Sequence, residues 1–160
     1  MTMNIGDKVP EGSFHIMKAD GPGSLSSEEL FSGKKVVLFS VPGAFTPTCS
    51  KEHLPGFIEK AAEFKEKGID TIACMAVNDV FVMGAWSEHS GAGDNVLLLA
   101  DGNGEYSRAL GLELDATGFG MGQRGQRFAI VVDDGVVKQL HVEAPGEFKI
   151  SSAESVLTNL

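Results

Sequence analysis

The chain has 160 residues, of which 42% are hydrophobic and 22% are charged, the proportions of a globular domain. Its formal net charge of −9 and the absence of a basic tract disfavour a nucleic-acid partner. Apolar runs such as Val96–Ala100 are too short to span a membrane. Two cysteines cannot build a disulfide scaffold, and the first residues contain no signal-peptide core. These features predict a single domain over residues 1–160, located in the cytoplasm.

The first third of the chain predicts short elements that lead to one long functional stretch. Ser13–Met17 is predicted as a strand and Ala19–Gly23 as a turn. Ser26–Glu29 has the spacing of a capping box, which begins a short helix. Lys35–Ser40 has the composition of a buried strand and delivers the chain to Val41–Phe57.

A helix is predicted from Thr48 to about Glu66, with Thr48 as its N-cap. Pro55 lies inside it and predicts a kink. The apolar residues of this segment recur at steps of three and four and are Leu54, Phe57, Ile58, Ala61 and Phe64.

The second half of the chain alternates strands and helices. Ile69–Val77 is predicted as a central parallel strand, Asp79 as the cap of the next helix, and Val96–Ala100 as another buried strand. A short helix over Glu105–Leu110 follows, and then a glycine-rich loop over Asp115–Gly125. This order indicates an α/β fold in which a central mixed β-sheet is flanked by helices.

The chain ends in a hairpin and a helix. Strands over Gln126–Asp133 and Val136–Val142 are joined by Asp134-Gly135, which predicts a type I′ turn. Ser151–Glu154 is predicted as a second capping box, and the terminal helix runs through Leu157. Gly120–Gly125 formally matches G-x-G-x-x-G, but a strand follows it, so a dinucleotide site is not predicted.

Cys49 is the candidate nucleophile. It follows a strand end and a loop and opens the predicted helix, where unpaired amides stabilise a thiolate. A buried structural cysteine is the alternative, but the neighbouring residues are prolines, glycine and hydroxyl residues instead of an apolar run. His53, four residues later, is predicted to be a solvated helix position, since no metal-binding spacing accompanies it.

The pattern Pro42-x-x-x-Thr46-x-x-Cys49 resembles the active-site signature of the peroxiredoxins, thiol peroxidases with a thioredoxin-like sandwich fold. The longer context Val41–Cys49, together with Val77–Asp79 and Arg127–Ala129, is similar to the type II branch of that family. The resemblance covers nearly the whole chain.

The resemblance implies a role for each matching residue. Cys49 would be the peroxidatic nucleophile, Pro42 would shield it from water, Thr46 would hydrogen-bond the peroxide, and Arg127 would stabilise the thiolate and the developing charge. Since an unpaired guanidinium is costly to bury, Glu52 is predicted as a further partner of Arg127. The implied substrate pocket comprises Gly43, Phe45, Thr48 and Phe119.

The resemblance also implies the reaction. Hydrogen peroxide and alkyl hydroperoxides would be reduced to water and alcohols through a sulfenic acid, which glutathione with glutaredoxin, or thioredoxin, would reduce. No bound cofactor or metal is expected. A homodimer is implied that uses loops near the active site, recruiting Phe45, Phe81 or Phe119.

Cys74 leaves two routes open. Inside an apolar run it is predicted to be a small buried hydrophobic residue, so an external thiol is favoured as the reductant. The alternative is a Cys49–Cys74 disulfide recycled by thioredoxin, which requires local unfolding because a disulfide has a short reach. Other candidate functions are a peroxide-sensing relay, a scaffold, and a disulfide reductase, although Thr46 interrupts the Cys-x-x-Cys that a reductase needs.

Overall fold

The computed structural model describes residues 2–160 and has a mixed β-sheet at its centre. The strands are β1 (Ser13–Lys18), β2 (Gly21–Ser26), β3 (Lys35–Ser40), β4 (Thr71–Ala76), β5 (Leu97–Ala100), β6 (Glu113–Asp115), β7 (Gln123–Gly125), β8 (Phe128–Asp133) and β9 (Val136–Val142). Seven of them form one sheet in the order β2-β1-β5-β4-β3-β8-β9, and β6 pairs with β7. This is the mixed sheet of a thioredoxin-like fold, as predicted.

The helices are short and lie along both faces of the sheet. They are α1 (Ser27–Phe31), α2 (Leu54–Glu59), α3 (Ala61–Glu66), α4 (Val80–Ser90), α5 (Glu105–Leu110) and α6 (Ala153–Thr158). A π-helical turn covers Cys49–His53, and a 3-10 turn covers Thr117–Phe119. Among residues 2–160, no helix has both the length and the apolar character that crossing a membrane requires.

Strand β3 shows how the sheet divides the core. Its residues alternate between the two faces, so Val37 and Phe39 pack with α2, α3, α4 and α6. Val36 and Leu38 pack on the other face with α1 and α5. Parallel pairing of β3 with β4, and antiparallel pairing with β8, bury β3 on both sides.

Three local predictions are confirmed by the structure. Ser26 and Glu29 form the reciprocal hydrogen bonds of a capping box at α1, and the Asp79 side chain accepts a hydrogen bond from Val82 N at the start of α4. Asp134 and Gly135 have φ values of 47° and 82°, so both residues of the β8–β9 turn are left-handed, as a type I′ turn requires.

Other local predictions are wrong. The turn predicted at Ala19–Gly23 overlaps β2, which begins at Gly21. The glycines of β2 interrupt the apolar alternation that would predict a strand. The loop predicted at Asp115–Gly125 contains β7, which pairs with β6. At α6 the N-cap is Ser152, which accepts from Ser155 N, because the Ser151 hydroxyl bonds elsewhere.

The helix after β3 begins earlier than predicted and is not regular. Helical backbone starts at Pro47, a favourable first position for proline, and Thr48 makes no capping hydrogen bond. The kink predicted at Pro55 takes the form of the π-helical turn immediately before it, in which Leu54 N bonds to Cys49 O. Since proline has no N–H and its ring crowds the preceding turn, a regular helix there is disfavoured. A second break follows at Lys60.

Candidate active site

Cys49 lies at the carboxyl end of β3, within the first turn of the helix that follows. Strand β3 is held on both sides by the sheet and ends at Ser40. The connecting loop then places Cys49 at the start of the π-helical turn, with no solvent exposure of its side chain. The thiol therefore lies in the first turn of a helix that follows a strand paired on both sides.

Arg127 is brought to Cys49 by the pairing of β3 with β8. Ser40 pairs with Phe128, so the residue before β8 lies beside the end of β3. Arg127 Nη2 donates a hydrogen bond to Cys49 Sγ at 3.0 Å, and Nη1 donates to His53 Nδ1 at 2.9 Å. The guanidinium thus places a positive charge and an N–H donor next to the sulfur.

His53 is buried, and the prediction that it is solvated is wrong. Its Nε2 lies 2.8 Å from the Ser151 carbonyl oxygen, which can only accept, so Nε2 carries the proton and Nδ1 accepts from Arg127. Burial, with the neighbouring Arg127 charge, lowers the pKa of His53 to about 3. The ring is therefore neutral near pH 7 and orients Arg127. The i,i+4 spacing from Cys49 was the signal in the sequence.

Glu143 holds the segment that supplies the Ser151 carbonyl. Its Oε2 accepts hydrogen bonds from the backbone N–H groups of Lys149, Ile150 and Ser151 at 2.8, 2.9 and 2.8 Å, and from Ser151 Oγ at 2.7 Å. Burial raises the pKa of Glu143, but these hydrogen bonds outweigh it and hold the pKa below its ordinary value. A continuous chain of hydrogen bonds therefore runs from Glu143 through Ser151 and His53 to Arg127.

Glu52, predicted as a partner of Arg127, is exposed and makes no ion pair among the described residues. The donors of Arg127 are directed to His53 and Cys49 instead. Glu52 is exposed and the next residue, His53, is buried, so the two adjacent positions lie on different faces of this helix.

The loop before Cys49 is held by hydrogen bonds that the sequence did not indicate. Thr46 Oγ1 donates to Gly43 O at 2.8 Å. Arg124 Nε donates to Met121 O at 2.8 Å, and Arg124 Nη1 lies 3.4 Å from Pro42 O. A β-carbon at Gly43 would lie 3.1 Å from Arg124 Nη1, so glycine allows this close approach. Arg124 thus joins the Pro42 loop to the β6–β7 segment.

Phe45 does not line the cavity beside the thiol. Its backbone is left-handed, with φ at 65°, and 47% of the residue is exposed. The ring centroid lies 5.5 Å from His89 and 6.3 Å from Trp86. A left-handed phenylalanine is uncommon and costs backbone energy, so the loop is held in this shape by its surroundings.

A cavity of about 580 Å³ has Thr48 and Arg127 in its wall, which are the chain neighbour and the hydrogen-bond partner of Cys49, whereas Cys49 itself does not line it. Of the predicted pocket residues, Thr48 and Phe119 line it, as does Pro42, whereas Gly43 does not. The remaining walls come from β6, from Gln126 and from residues 143–148, and most of their surface is apolar. Within residues 2–160, no three His, Cys, Asp or Glu side chains are grouped as a metal ion would require.

Cys74 lies in the middle of β4, opposite Phe39 of β3, and is fully buried. Burial raises the pKa of its thiol well above the ordinary value. Both cysteines are free. The predicted character of Cys74 as a small buried residue is therefore confirmed.

Comparison with known proteins gives the family. The Redoxin family profile matches residues 4–157. Peroxiredoxin-2E-2, chloroplastic, of Oryza sativa subsp. japonica is 54% identical and aligns with 99% of this chain and 73% of its own length. Peroxiredoxin-2B of Arabidopsis thaliana is 50% identical over 98% of this chain and 97% of its own. The structure of reduced Prx3 in complex with H₂O₂ from Vibrio vulnificus superposes with a TM-score of 0.95 at 49% identity, covering 99% of both chains.

The fold is that of a thioredoxin-like thiol peroxidase. With these relatives, the chain belongs to the Redoxin family and is a peroxiredoxin of the type II branch. It is therefore an enzyme that reduces peroxides with thiols as the source of electrons.

The buried neutral ring of His53 predicts a loss of stability in acid. The unfolded chain binds a proton at the ordinary histidine pKa of 6.5, whereas the folded chain does so only near 3. This contribution is fully present above pH 6.5 and declines by about 1.4 kcal/mol per pH unit as the pH falls toward 3. Urea unfolding between pH 6 and pH 4.5 should show a steeper decline for wild type than for His53→Asn.

The exposed His15 provides the matched control, since His15→Gln should keep the wild-type pH dependence. Parallel curves for wild type and His53→Asn would show that His53 takes up its proton without cost in the folded state, contrary to its burial.

Proposed function

We propose that Cys49 is the thiol that this peroxidase uses to attack peroxides, and that Arg127 and His53 activate and orient it. The observation that carries this proposal is the contact of Arg127 Nη2 with Cys49 Sγ at 3.0 Å, while the second nitrogen of the same guanidinium is held by neutral His53. The guanidinium is planar, so the hydrogen bond that fixes Nη1 also fixes the direction of Nη2. The Nη2 donor is therefore preorganised for negative charge on the sulfur and on the peroxide.

The proposed step is a displacement at an O–O bond. The Cys49 thiolate attacks the terminal oxygen of the hydroperoxide, an S–O bond forms, and the O–O bond breaks. The leaving alkoxide or hydroxide takes up a proton from solvent and departs as alcohol or water. The sulfur is oxidised to a sulfenic acid and the peroxide is reduced by two electrons.

Thr46 and Pro42 complete the proposed binding of the peroxide. The Thr46 hydroxyl already gives its hydrogen to Gly43 O, so its lone pairs are free to accept the O–H of a peroxide while Arg127 donates to the oxygens. Pro42 brings an apolar ring to the cavity wall and has no N–H to compete for the substrate. Both residues would align the O–O bond with the sulfur.

We propose further that an external thiol reduces the sulfenic acid, with glutathione and glutaredoxin favoured over thioredoxin. The position of Cys74 supports this route, since its thiol is fully buried in mid-strand and is not bonded to Cys49. Attack by the external thiol releases water and forms a mixed disulfide, which a second thiol then reduces.

Cys74→Ser should retain most of the wild-type turnover when glutathione and glutaredoxin are supplied. Peroxide consumption is followed with glutathione plus glutaredoxin and, in parallel, with thioredoxin and its reductase. Two results together would establish the Cys49–Cys74 disulfide route. Folded Cys74→Ser would lose turnover, and thioredoxin would be the effective electron donor to wild type. Consumption of one peroxide per chain with every donor would indicate a sensor.

The assembly and location of the enzyme are also proposals. Phe81 and Phe119 are 66% and 86% exposed, and together with Phe45 they are candidates for the interface of a homodimer. Sedimentation of wild type and Phe81→Asp would test it, since a monomeric wild type contradicts the proposal. We propose one domain over residues 1–160. We also propose a cytoplasmic location, which the small number of cysteines and the absence of a disulfide between them support and which cell fractionation would test.

A further inference from the structure

The rim of the cavity beside Cys49 is acidic. Three exposed carboxylates line it, from Glu113, Asp115 and Glu147. Glu143 also contributes to the wall, but its carboxylate is occupied by four hydrogen bonds from residues 149–151.

Positive charge at this cavity is scarce. The one cation in the wall is Arg127, which donates one hydrogen bond to Cys49 and one to His53. Lys149 lies 3.6 Å from Glu147 and compensates only that carboxylate. Arg124 lies 3.4 Å from Pro42 O at the same cavity but does not line it. Glu113 and Asp115 line the cavity and make no ion pair among the described residues.

The interior of the same cavity is apolar and larger than hydrogen peroxide requires. Leu114 and Phe148 are half-buried in its wall, and Phe119 and Pro145 add exposed apolar surface to it. Its volume of about 580 Å³ is in the range of cavities that take small organic molecules. Hydrogen peroxide, with two heavy atoms, leaves most of this surface without contact, whereas an aryl or branched alkyl group would cover it.

We propose that this cavity makes the enzyme selective for neutral organic hydroperoxides and discriminates against those that carry a carboxylate, with Glu113 and Asp115 as the residues that determine this selectivity. The proposal rests on the peroxidase function proposed above and adds its substrate class. An anionic substituent entering the apolar interior must pass the acidic rim, where low-dielectric walls weaken screening of the repulsion.

A size-matched pair of substrates tests the proposal. The probes are cumene hydroperoxide with a para-carboxylate and the methyl ester of the same compound, since the two differ chiefly in charge. For wild type we expect kcat/KM for the ester to exceed that for the acid by about five- to tenfold at low ionic strength. Added salt should reduce this preference, because exposed charges are screened.

Neutralising the rim should raise kcat/KM for the acid. Glu113→Gln is expected to lower the ester-to-acid ratio about twofold, and Glu113→Gln combined with Asp115→Asn about fourfold. Asp20→Asn makes the same charge change in the β1–β2 turn, next to the opposite edge of the sheet, and should leave the ratio as in wild type.

Two results would overturn the proposal: equal kcat/KM for ester and acid in wild type, or a ratio that the Glu113 variants leave unchanged. Failure of the proposed peroxidase function has a different signature, since neither probe would then be consumed in a Cys49-dependent way. If the double variant does not fold, Glu113→Gln alone decides, because the Glu113 side chain makes no hydrogen bond or ion pair among the described residues.

Discussion

Cys49→Ser is expected to reduce peroxide turnover to the level of the reaction without enzyme. The serine hydroxyl is smaller than the thiol and fits the buried site, but it stays protonated near neutral pH and its oxygen cannot form a sulfenic acid. Loss of the covalent nucleophile should cost on the order of a thousandfold or more in kcat/KM, since no neighbouring group can replace it. Steady-state consumption of cumene hydroperoxide with glutathione and glutaredoxin measures the effect.

Cys74→Ser is the matched control, because it makes the same chemical change at the other buried cysteine. A folded Cys49→Ser protein that retained more than a small fraction of the wild-type rate would contradict the assignment of Cys49. Circular dichroism and unfolding of both variants separate loss of chemistry from loss of structure.

Arg127→Lys is expected to lower the rate of Cys49 oxidation by about 10²–10³, as for other preorganised donors to a developing charge. Lysine keeps the positive charge but has no planar fork, so it cannot donate to Cys49 Sγ and His53 Nδ1 at once in the present geometry. Stopped-flow mixing with excess peroxide, in the absence of reductant, isolates this step from recycling.

Arg108→Lys makes the same substitution at an exposed position in α5 and should leave the oxidation rate unchanged. The Arg127 variant should also unfold more easily, by about 1–3 kcal/mol, if the buried Nδ1 of His53 loses its donor. A wild-type oxidation rate in Arg127→Lys would show that charge alone suffices and that the orientation of the guanidinium has no part in the reaction.

The fold could be predicted from the sequence where local pattern and tertiary environment agree. Strands β3 and β4 are apolar runs because the sheet buries both of their faces, and the type I′ turn at Asp134-Gly135 depends on two residues only. Strand β2 was missed for the opposite reason. It is a glycine-containing edge strand whose pairing with β1 has no apolar signature.

The candidate site also contains residues that the sequence predicts and residues that it does not. Cys49 and Arg127 were found through motif and resemblance, and the structure brings their side chains into contact. The burial of His53 could not be read from its own helix, since Ser151, nearly 100 residues later, supplies its acceptor and Glu143 fixes that segment. Every residue type has a backbone carbonyl. A hydrogen bond to a backbone carbonyl therefore leaves no signal in the sequence.

The central claim is that peroxide oxidises Cys49, and one measurement tests it directly. Wild-type protein is mixed with one equivalent of hydrogen peroxide without reductant, treated with a reagent that traps sulfenic acids, and digested for peptide mass spectrometry. We expect one trapped sulfenic acid per chain, on the peptide that contains Cys49, with the Cys74 peptide unchanged. A sulfenic acid on Cys74, or an unmodified Cys49 after the peroxide has been consumed, would contradict the account.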